Sequence, residues 1–315
     1  MKAAHRLGVE VTVGSNERQV LESLNEGGSV TIDFSNTTIA VKEICEFHDI
    51  YPVIAIIAVD DTTGTIAAIA SQKLGLKYNT PEAVKATGNK LLLRQALGKA
   101  DLSNIKYNTI GLEENPKLIA QATDFPCVLK PFNLTASQGV IRVNNEQGFI
   151  AAFERIKLLL LDIKNNTQKE IIPKILIEDY IEGEEVALEG IMVGGKLDVL
   201  ALFDKPDPLE GPYFEETIYI TPSKKSLEVQ ASIKNMAEQA ARAIGLEEGP
   251  VHIELRLQAK GQYNNQSGPW VIDMASRSIG GLCSRSLRFN DDMSLEDIIL
   301  RHAVNKPIEA TQQTA

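Results

Sequence analysis

The sequence is short of several things that would classify a protein at once. It has three cysteines in 315 residues, Cys45, Cys127 and Cys283. They show no metal-site spacing and an odd number cannot all pair, so a reducing compartment is expected. Positive charge is in deficit: 32 Lys and Arg against 42 Asp and Glu give a net charge of −10. That balance argues against a nucleic-acid footprint or an anionic membrane surface, although a bound nucleotide needs only a local cluster of donors. Long hydrophobic runs are missing too. The most apolar stretch, Val53 to Val59, is too short to span a bilayer. No apolar run follows Met1 to Arg6, so no signal peptide is expected, and the location reads as cytoplasmic. Internal repeats and low-complexity tracts are absent.

What is there is ordinary globular material, 43% hydrophobic and 23% charged, long enough for two or three packed lobes. Residues 1 to about 80 alternate helix and strand. A helix tail ends at Gly8, and a strand follows at Val9–Val13. A helix is expected over Arg18–Asn25, a strand over Val30–Phe34 and a helix over Thr38–His48. Val53–Val59 reads as a strand buried on both faces of a parallel sheet, before a helix at Thr63–Leu74. This is a small doubly wound α/β unit that begins in a helix and lacks a first strand. Thr80-Pro81 opens the next helix as cap and first residue. Lys90 to Leu97 forms another, with Lys90 and Arg94 on one face; spacing alone also suits a solvated basic face.

The middle of the chain offers strands ending in chemistry. Phe125 to Pro131 is a strand that carries Lys130 at its end. The small polar loop Asn133 to Gly139 follows it, and Val140–Val143 returns. Backbone N–H groups of such a loop can cradle phosphate beside a lysine, though a plain hairpin reads equally well. A helix covers Gly148–Leu161 and a polar loop Asn165–Thr167. Ile175–Ile181 and Val186–Val193 are strands around an acidic turn. An apolar strand ending this way suits a nucleobase slot or an ordinary charged turn. Lys196–Leu202 is a strand, and Phe203 to Glu216 a long Pro/Gly-rich connection of the kind that faces a ligand. Ser226–Ile244 is an amphipathic helix closed by Gly245.

Val251–Glu254 and Trp270–Arg277 read as two strands of a hairpin joined by the turn 260–268. Paired antiparallel, they put Glu254 and Asp273 on one face. Two such carboxylates are either surface acids or oxygen ligands for Mg²⁺, whose shell substrate phosphates complete. The small residues from Ser278 to Ser286, between Arg277 and Arg285, make a candidate nest for an oxyanion or a carboxylate. Ser294–Ala303 is a closing helix capped by Ser294. The tail 311–315 is expected to fray.

These pieces, in this order, resemble the ATP-grasp superfamily and, within it, carboxylate–amine ligases of the L-amino-acid ligase kind. The resemblance runs from Gly88-Asn89-Lys90 through Phe125–Pro131, Ser137-Gln138-Gly139, Glu178–Glu185 and His252-Ile253-Glu254 to Ile272–Arg277. It implies an α/β fold with α+β lobes. The preceding α/β domain would be residues 1–80, a helical connector 81–120, a small lid lobe 121–185, a large lobe with the metal site 186–307, and a tail 308–315.

The resemblance also implies roles. Lys90 and Lys130 would hold ATP phosphates, with Ser137 and Gly139 in a closing lid. Glu178, the Tyr180 backbone and the Ile181 N–H would take adenine, and Glu185 the ribose. Glu254 and Asp273 would bind Mg²⁺ or Mn²⁺. Arg277 and Lys130 would be catalytic, with Gly280 and Gly281 facing the substrate oxyanion. Lys205 and Arg285 are further candidates toward substrate, or members of salt-bridged surfaces. The implied partners are a small-molecule carboxylate and an amine; a homodimer is compatible with an exposed α/β edge.

This sequence departs from the family pattern at Asp273, where Glu is usual, and at Ala275, where Asn is a usual further metal ligand. Ser276 or water is left to substitute, or one of two magnesium ions binds weakly. Two other readings stay open: a nucleotide-binding protein without catalysis, and another ATP-grasp reaction such as a phosphoribosylamine–glycine ligation or a carboxylation.

Overall fold

Caps and breakers decide where the helices begin and end. The computed structural model describes residues 1–17, 27–166, 171–215, 218–258 and 268–308. The helix expected over Arg18–Asn25, most of the hairpin turn, the end of the 165–167 loop and the tail lie outside them. The N-terminal unit contains α1 (Lys2–Leu7), β1 (Val13–Ser15), β2 (Ser29–Thr31), α2 (Thr37–Ile50) and α3 (Asp61–Leu74). Asn36 caps α2 through Thr38 and Ile39 N–H; Asp60 caps α3 through Thr62 and Thr63 N–H. Each accepts donors that a helix start leaves without partners.

Two strand expectations fail in this unit. The first strand is Val13–Ser15, not Val9–Val13, and among the described residues its partner is the parallel Ser29–Thr31, which starts one residue before the expected Val30–Phe34 and ends three short of it. Val53–Val59 is not a strand. Ile56 packs against the Ile32, Val41 and Ile66 core, whereas Ile54 and Val59 are 69% and 80% exposed. An all-apolar strand is stable only between ladder partners under a helical layer. A parallel sheet of two three-residue strands does not supply them to this segment.

Next come α4 (Pro81–Thr87), α5 (Lys90–Lys99), β3 (Tyr107–Gly111), α6 (Pro116–Gln121), β4 (Cys127–Pro131), β5 (Ile141–Val143), α7 (Glu146–Asn166) and β6 (Lys174–Asp179). The 81–120 segment is therefore not wholly helical. Its Tyr107–Gly111 pairs with Lys174–Asp179 as the edge of the antiparallel sheet β3–β6–β4–β5. Asn165 and Asn166 extend α7 rather than starting a loop. One face of this small sheet, with Leu129, Ile175 and Ile177, packs on Phe149, Phe153, Ile156 and Leu160 of α7. Each such side chain contributes about 1.5–3 kcal/mol by leaving water.

The large lobe has β7 (Glu184–Val193), β8 (Lys196–Lys205), α8 (Leu227–Ile244), β9 (Glu248–Leu257), β10 (Trp270–Ala275), α9 (Cys283–Ser286) and α10 (Leu295–Ala303). Its antiparallel sheet runs β10–β9–β7–β8. Strand alternation sorts its faces. Val186, Leu188, Val251, Ile253 and Leu255 meet α8 and α5 in one core. The opposite face carries Glu185, Glu189, His252, Glu254 and Arg256, and looks into the space between the lobes. Ala187 and Ile191, interleaved with those residues on the same face, pack in a core with Ile279, Leu287, Phe289 and Ile298. No helix among the described residues is long and apolar enough to cross a membrane.

Candidate active site

Between the two sheets lies a cleft of ≈ 730 Å³. Its wall includes Lys90, Lys130, Ser137, Glu178, Tyr180, Ile181, Glu185, Glu254, Asp273, Arg277, Gly280 and Gly281. Of the candidates from sequence, Gly139, Lys205 and Arg285 are not on the wall. Gly139 has φ 72°, and a Cβ there would sit 2.9 Å from a Pro131 ring carbon, so it shapes the loop from behind. Arg285 is exposed on α9. Lys205 lies buried just beneath the wall.

The acid pair is set by strand register. Asp273 stands directly opposite Glu254, which gives the two carboxylates one face. Each has a lysine beside it: Lys205 Nζ is 3.0 Å from Glu254 Oε1 and Lys90 Nζ is 3.1 Å from Asp273 Oδ2. Both acids keep part of their surface open to the cleft, 21% for Glu254 and 32% for Asp273. The donors are all oxygen, and no group of three or more His, Cys, Asp or Glu among the described residues could hold a metal unaided. Such a pair suits Mg²⁺ shared with a phosphate-bearing ligand. Ser276, a possible replacement for the absent Asn, has its hydroxyl 3.1 Å from that of Thr87, and Ala275 is buried.

The lysines approach from the other side. Lys90 is the first residue of α5, whose cap is Asn89, and its Nζ donates to Leu134 O at 2.8 Å in the loop after β4. Lys130, 3% exposed, meets Glu178 Oε2 at 2.7 Å. Arg94 clasps the same carboxylate, Nε to Oε1 at 2.7 Å. Burial opposes charge on Glu178, but Arg94 and Lys130 hold its carboxyl below the usual range. Burial also pushes Lys130 down, against the pull of Glu178. Glu178 therefore sits as the shared anion of two cations, Arg94 and Lys130.

The remaining candidates are similarly engaged. Both oxygens of Glu185 have partners, Lys205 at 2.8 Å and Arg256 at 3.1 Å, all three side by side across β8, β7 and β9. Tyr180 donates its N–H to Pro126 O, so its carbonyl is what its backbone can offer a ligand. Its ring lies under Arg142 at 4.0 Å and beside Arg256 at 5.0 Å. Arg277 donates twice to Asp61 Oδ2, at 2.9 and 2.7 Å, across to the start of α3. Fully buried Glu189 accepts from Ile279 N–H at 3.0 Å and faces His252 Nδ1 at 3.3 Å. Burial lowers His252, but hydrogen bonds to Glu189 and Glu254 win and raise it to about 9. Cys127 is raised to about 12 by burial, with Asp179 adding to it, which removes it as a nucleophile.

Sequence reasoning missed Asp61, Glu189 and Arg256, and read Arg94 as half of a basic face. The signal for Arg94 was present: it lies in the stripe Lys90, Leu93, Arg94, Leu97, the buried face of α5. Asp61 had a weaker one, since Asp60 and Asp61 stand at a helix start.

A family model described as an ATP-grasp domain matches residues 123–286, and one described as an ATP-grasp N-terminal domain matches residues 1–76. The alanine–anticapsin ligase of Bacillus amyloliquefaciens is 27% identical over 252 residues, 76% of this chain and 52% of that protein. A D-alanine–D-alanine ligase of Cupriavidus pinatubonensis is 23% identical over 278 residues, 83% of this chain and 80% of that protein. The L-amino acid ligase structure from Bacillus licheniformis superposes with a TM-score of 0.75 at 22% identity, covering 98% of this chain and 71% of that one. This chain spans about half the length of the alanine–anticapsin ligases it matches. Because the first model covers more than half of the chain, and the two-lobe fold agrees with it, the protein belongs to the ATP-grasp family.

Proposed function

We propose that the protein is an ATP-dependent carbon–nitrogen ligase that activates a carboxylate as an acyl phosphate and joins it to an amine, with ADP and phosphate as the other products. One observation carries this reading. A single cleft presents two lysines, an oxygen-only acid pair and an arginine close in sequence to a Gly-Gly pair. Phosphoryl transfer asks for that combination of positioning and charge neutralisation. The ligases named among the relatives support it.

In the first step a carboxylate oxygen attacks the γ-phosphorus and the bond to the bridging oxygen of ADP breaks. Lys90 and Lys130 hold the phosphate oxygens, and the Thr135–Ser137 loop lies over them. Glu254 and Asp273 would hold Mg²⁺ or Mn²⁺, which neutralises phosphate charge when bound. In the second step the amine nitrogen attacks the acyl carbon, the carbon–oxygen bond to phosphate breaks, and the proton lost from nitrogen ends on the departing phosphate. Arg277 and the Gly280-Gly281 backbone face the oxyanion that forms between. Asp61 holds Arg277 there. The same reading puts the protein in the cytoplasm, where ATP is made and its three free cysteines stay reduced.

The test is Mg²⁺-dependent phosphate release from ATP with pooled amino acids and small carboxylates, with hydroxylamine added to trap an acyl phosphate. The expected result is release that depends on a pool and yields a hydroxamate, and that Lys130→Ala and Glu254→Ala abolish while remaining folded. ATP binding without release from any pool would favour a non-catalytic nucleotide binder, and wild-type turnover in both variants would refute the site.

A further inference from the structure

Simple alternation would put the two cleft acids on opposite faces of the large sheet. Trp270 pairs with Arg256 and Val271 with Leu255. Continued without interruption, that ladder would pair Ile272 with Glu254 and Asp273 with Ile253, turning Asp273 into the core beside Ile253. The observed ladder shifts by one between Val271 and Asp273, so that Asp273 meets Glu254 and Met274 meets Ile253. Ile272 is the inserted residue of a β-bulge. The same shift explains why Val271 and Met274, three apart, both lie in one core cluster. The acid pair therefore exists only while the bulge holds.

A bulge takes backbone groups out of the ladder, and here they face one buried side chain. Arg94, 0% exposed, donates from Nη1 to Val271 O at 2.8 Å and from Nη2 to Ile272 O at 3.0 Å. The other edge of the same guanidinium grips Glu178 of β6, through Nε at 2.7 Å and Nη2 at 3.4 Å. We propose that Arg94 is a positioning residue: it clamps the Ile272 bulge in the register that sets Asp273 beside Glu254, and ties that register to Glu178 and thereby to Lys130 in the small lobe. What the acid pair binds rests on the functional reading above; the clamp itself rests on the register and the hydrogen bonds.

The chemistry calls for a guanidinium. Two carbonyls on one side and a carboxylate on the other need donors spread in one plane, which Arg supplies and the compact ammonium of Lys does not. Arg94→Lys keeps the charge against Glu178 and loses the fork.

The experiment compares wild type and Arg94→Lys in two binding measurements without turnover: ADP in the presence of EDTA, and Mn²⁺, followed by electron paramagnetic resonance, at saturating ADP. Losing a partner that orients a metal ligand typically costs about 10- to 100-fold in affinity. Mn²⁺ affinity is expected to fall by that factor while ADP affinity in EDTA stays within about threefold. Mn²⁺ binding equal to wild type, or both affinities falling together, overturns the proposal. A crystal structure of the variant supplies the readout that does not depend on any ligand. Loss of the Asp273–Glu254 pairing supports the clamp, and an unchanged bulge refutes it even if wild type binds neither ADP nor Mn²⁺, an outcome that would sink the functional reading alone. Should Arg94→Lys not fold, Arg94→Met with Glu178→Gln removes a cation and an anion together, and the same structural readout decides.

Discussion

Glu178→Gln is the sharpest single test of how the two lobes are held together. The carboxylate is 3% exposed and has a cation at 2.7 Å on each side, Arg94 and Lys130. Amidation keeps shape and one acceptor oxygen but leaves two buried cations facing each other. Breaking a buried pair by neutralising one member costs about 3–5 kcal/mol, because the orphaned charge remains out of water. The upper half of that range is expected here, since two partners are orphaned. The assay is urea unfolding followed by the fluorescence of Trp270, the single tryptophan, which is buried with Ile105 and Ile181 close to this network. Adding Lys130→Met removes one orphan and should restore at least half of the loss. The pH dependence has a definite sign. Glu178 is held below its ordinary value of 4.5, so its contribution is complete above that pH and fades as pH falls through the lowered folded value. The gap between wild type and variant should therefore narrow only in acid. A loss below about 1 kcal/mol, the size of an exposed ion pair, or a double variant no better than the single, would refute the reasoning.

Other substitutions probe separate parts of the molecule. Gly183 joins β6 to β7 at φ 122°, and an added Cβ would lie 2.3 Å from Leu257 O; Gly183→Ala should cost at least the 1–3 kcal/mol or so of such strain, read by the same unfolding assay. Ser294 and Asp297 form a capping box on α10, so Ser294→Ala should lose about 1 kcal/mol. Burial raises the Asp297 carboxyl, but Arg6 and Ser294 together pull it below 3.8. Asp297→Asn should therefore be less stable than wild type above pH 3.8, with the difference closing as pH drops further. Lys205, 3% exposed at its side chain, bridges Glu185 and Glu254 at 2.8 and 3.0 Å. Lys205→Met should tighten Mn²⁺ binding in the absence of nucleotide, by about tenfold or more given that a unit charge at 4 Å is worth about 4 kcal/mol at an effective dielectric near 20. Weaker Mn²⁺ binding in that variant would show that Lys205 supports the acid pair instead of competing for it.

Much of this architecture is legible in the sequence. Thr80 and Pro81, Gly245 after α8, and Ser294 before α10 mark helix ends through contacts within a turn of the chain. Alternation in Val251–Glu254 and Trp270–Asp273 was enough to expect an antiparallel pair carrying two acids. It was not enough to say why the acids meet, because an extra residue in one strand is invisible in a period-two pattern. Val53–Val59 misled for the opposite reason: its composition suits a buried strand, but a strand depends on partners elsewhere in the chain. Glu178 was legible as a polar residue in a strand, Glu185 in an acidic turn and Lys205 in the connection after Leu202; the structure carries β8 on to Lys205, and nothing local told that Glu185 meets Lys205 and Arg256 or that Glu178 meets Arg94 and Lys130.

Local order and the sign of the chemistry thus belong to the sequence: where helices start, which faces are apolar, and that lysines, acids and an arginine recur at strand ends. Tertiary structure alone decided the bulge at Ile272, the partners of Arg94 and the hold of Asp61 on Arg277. The Arg94–Glu178 and Arg277–Asp61 contacts join residues 84 and 216 positions apart. Hydrogen bonds and burial of that range form only when separate lobes pack, so no window along the chain contains the forces that set them.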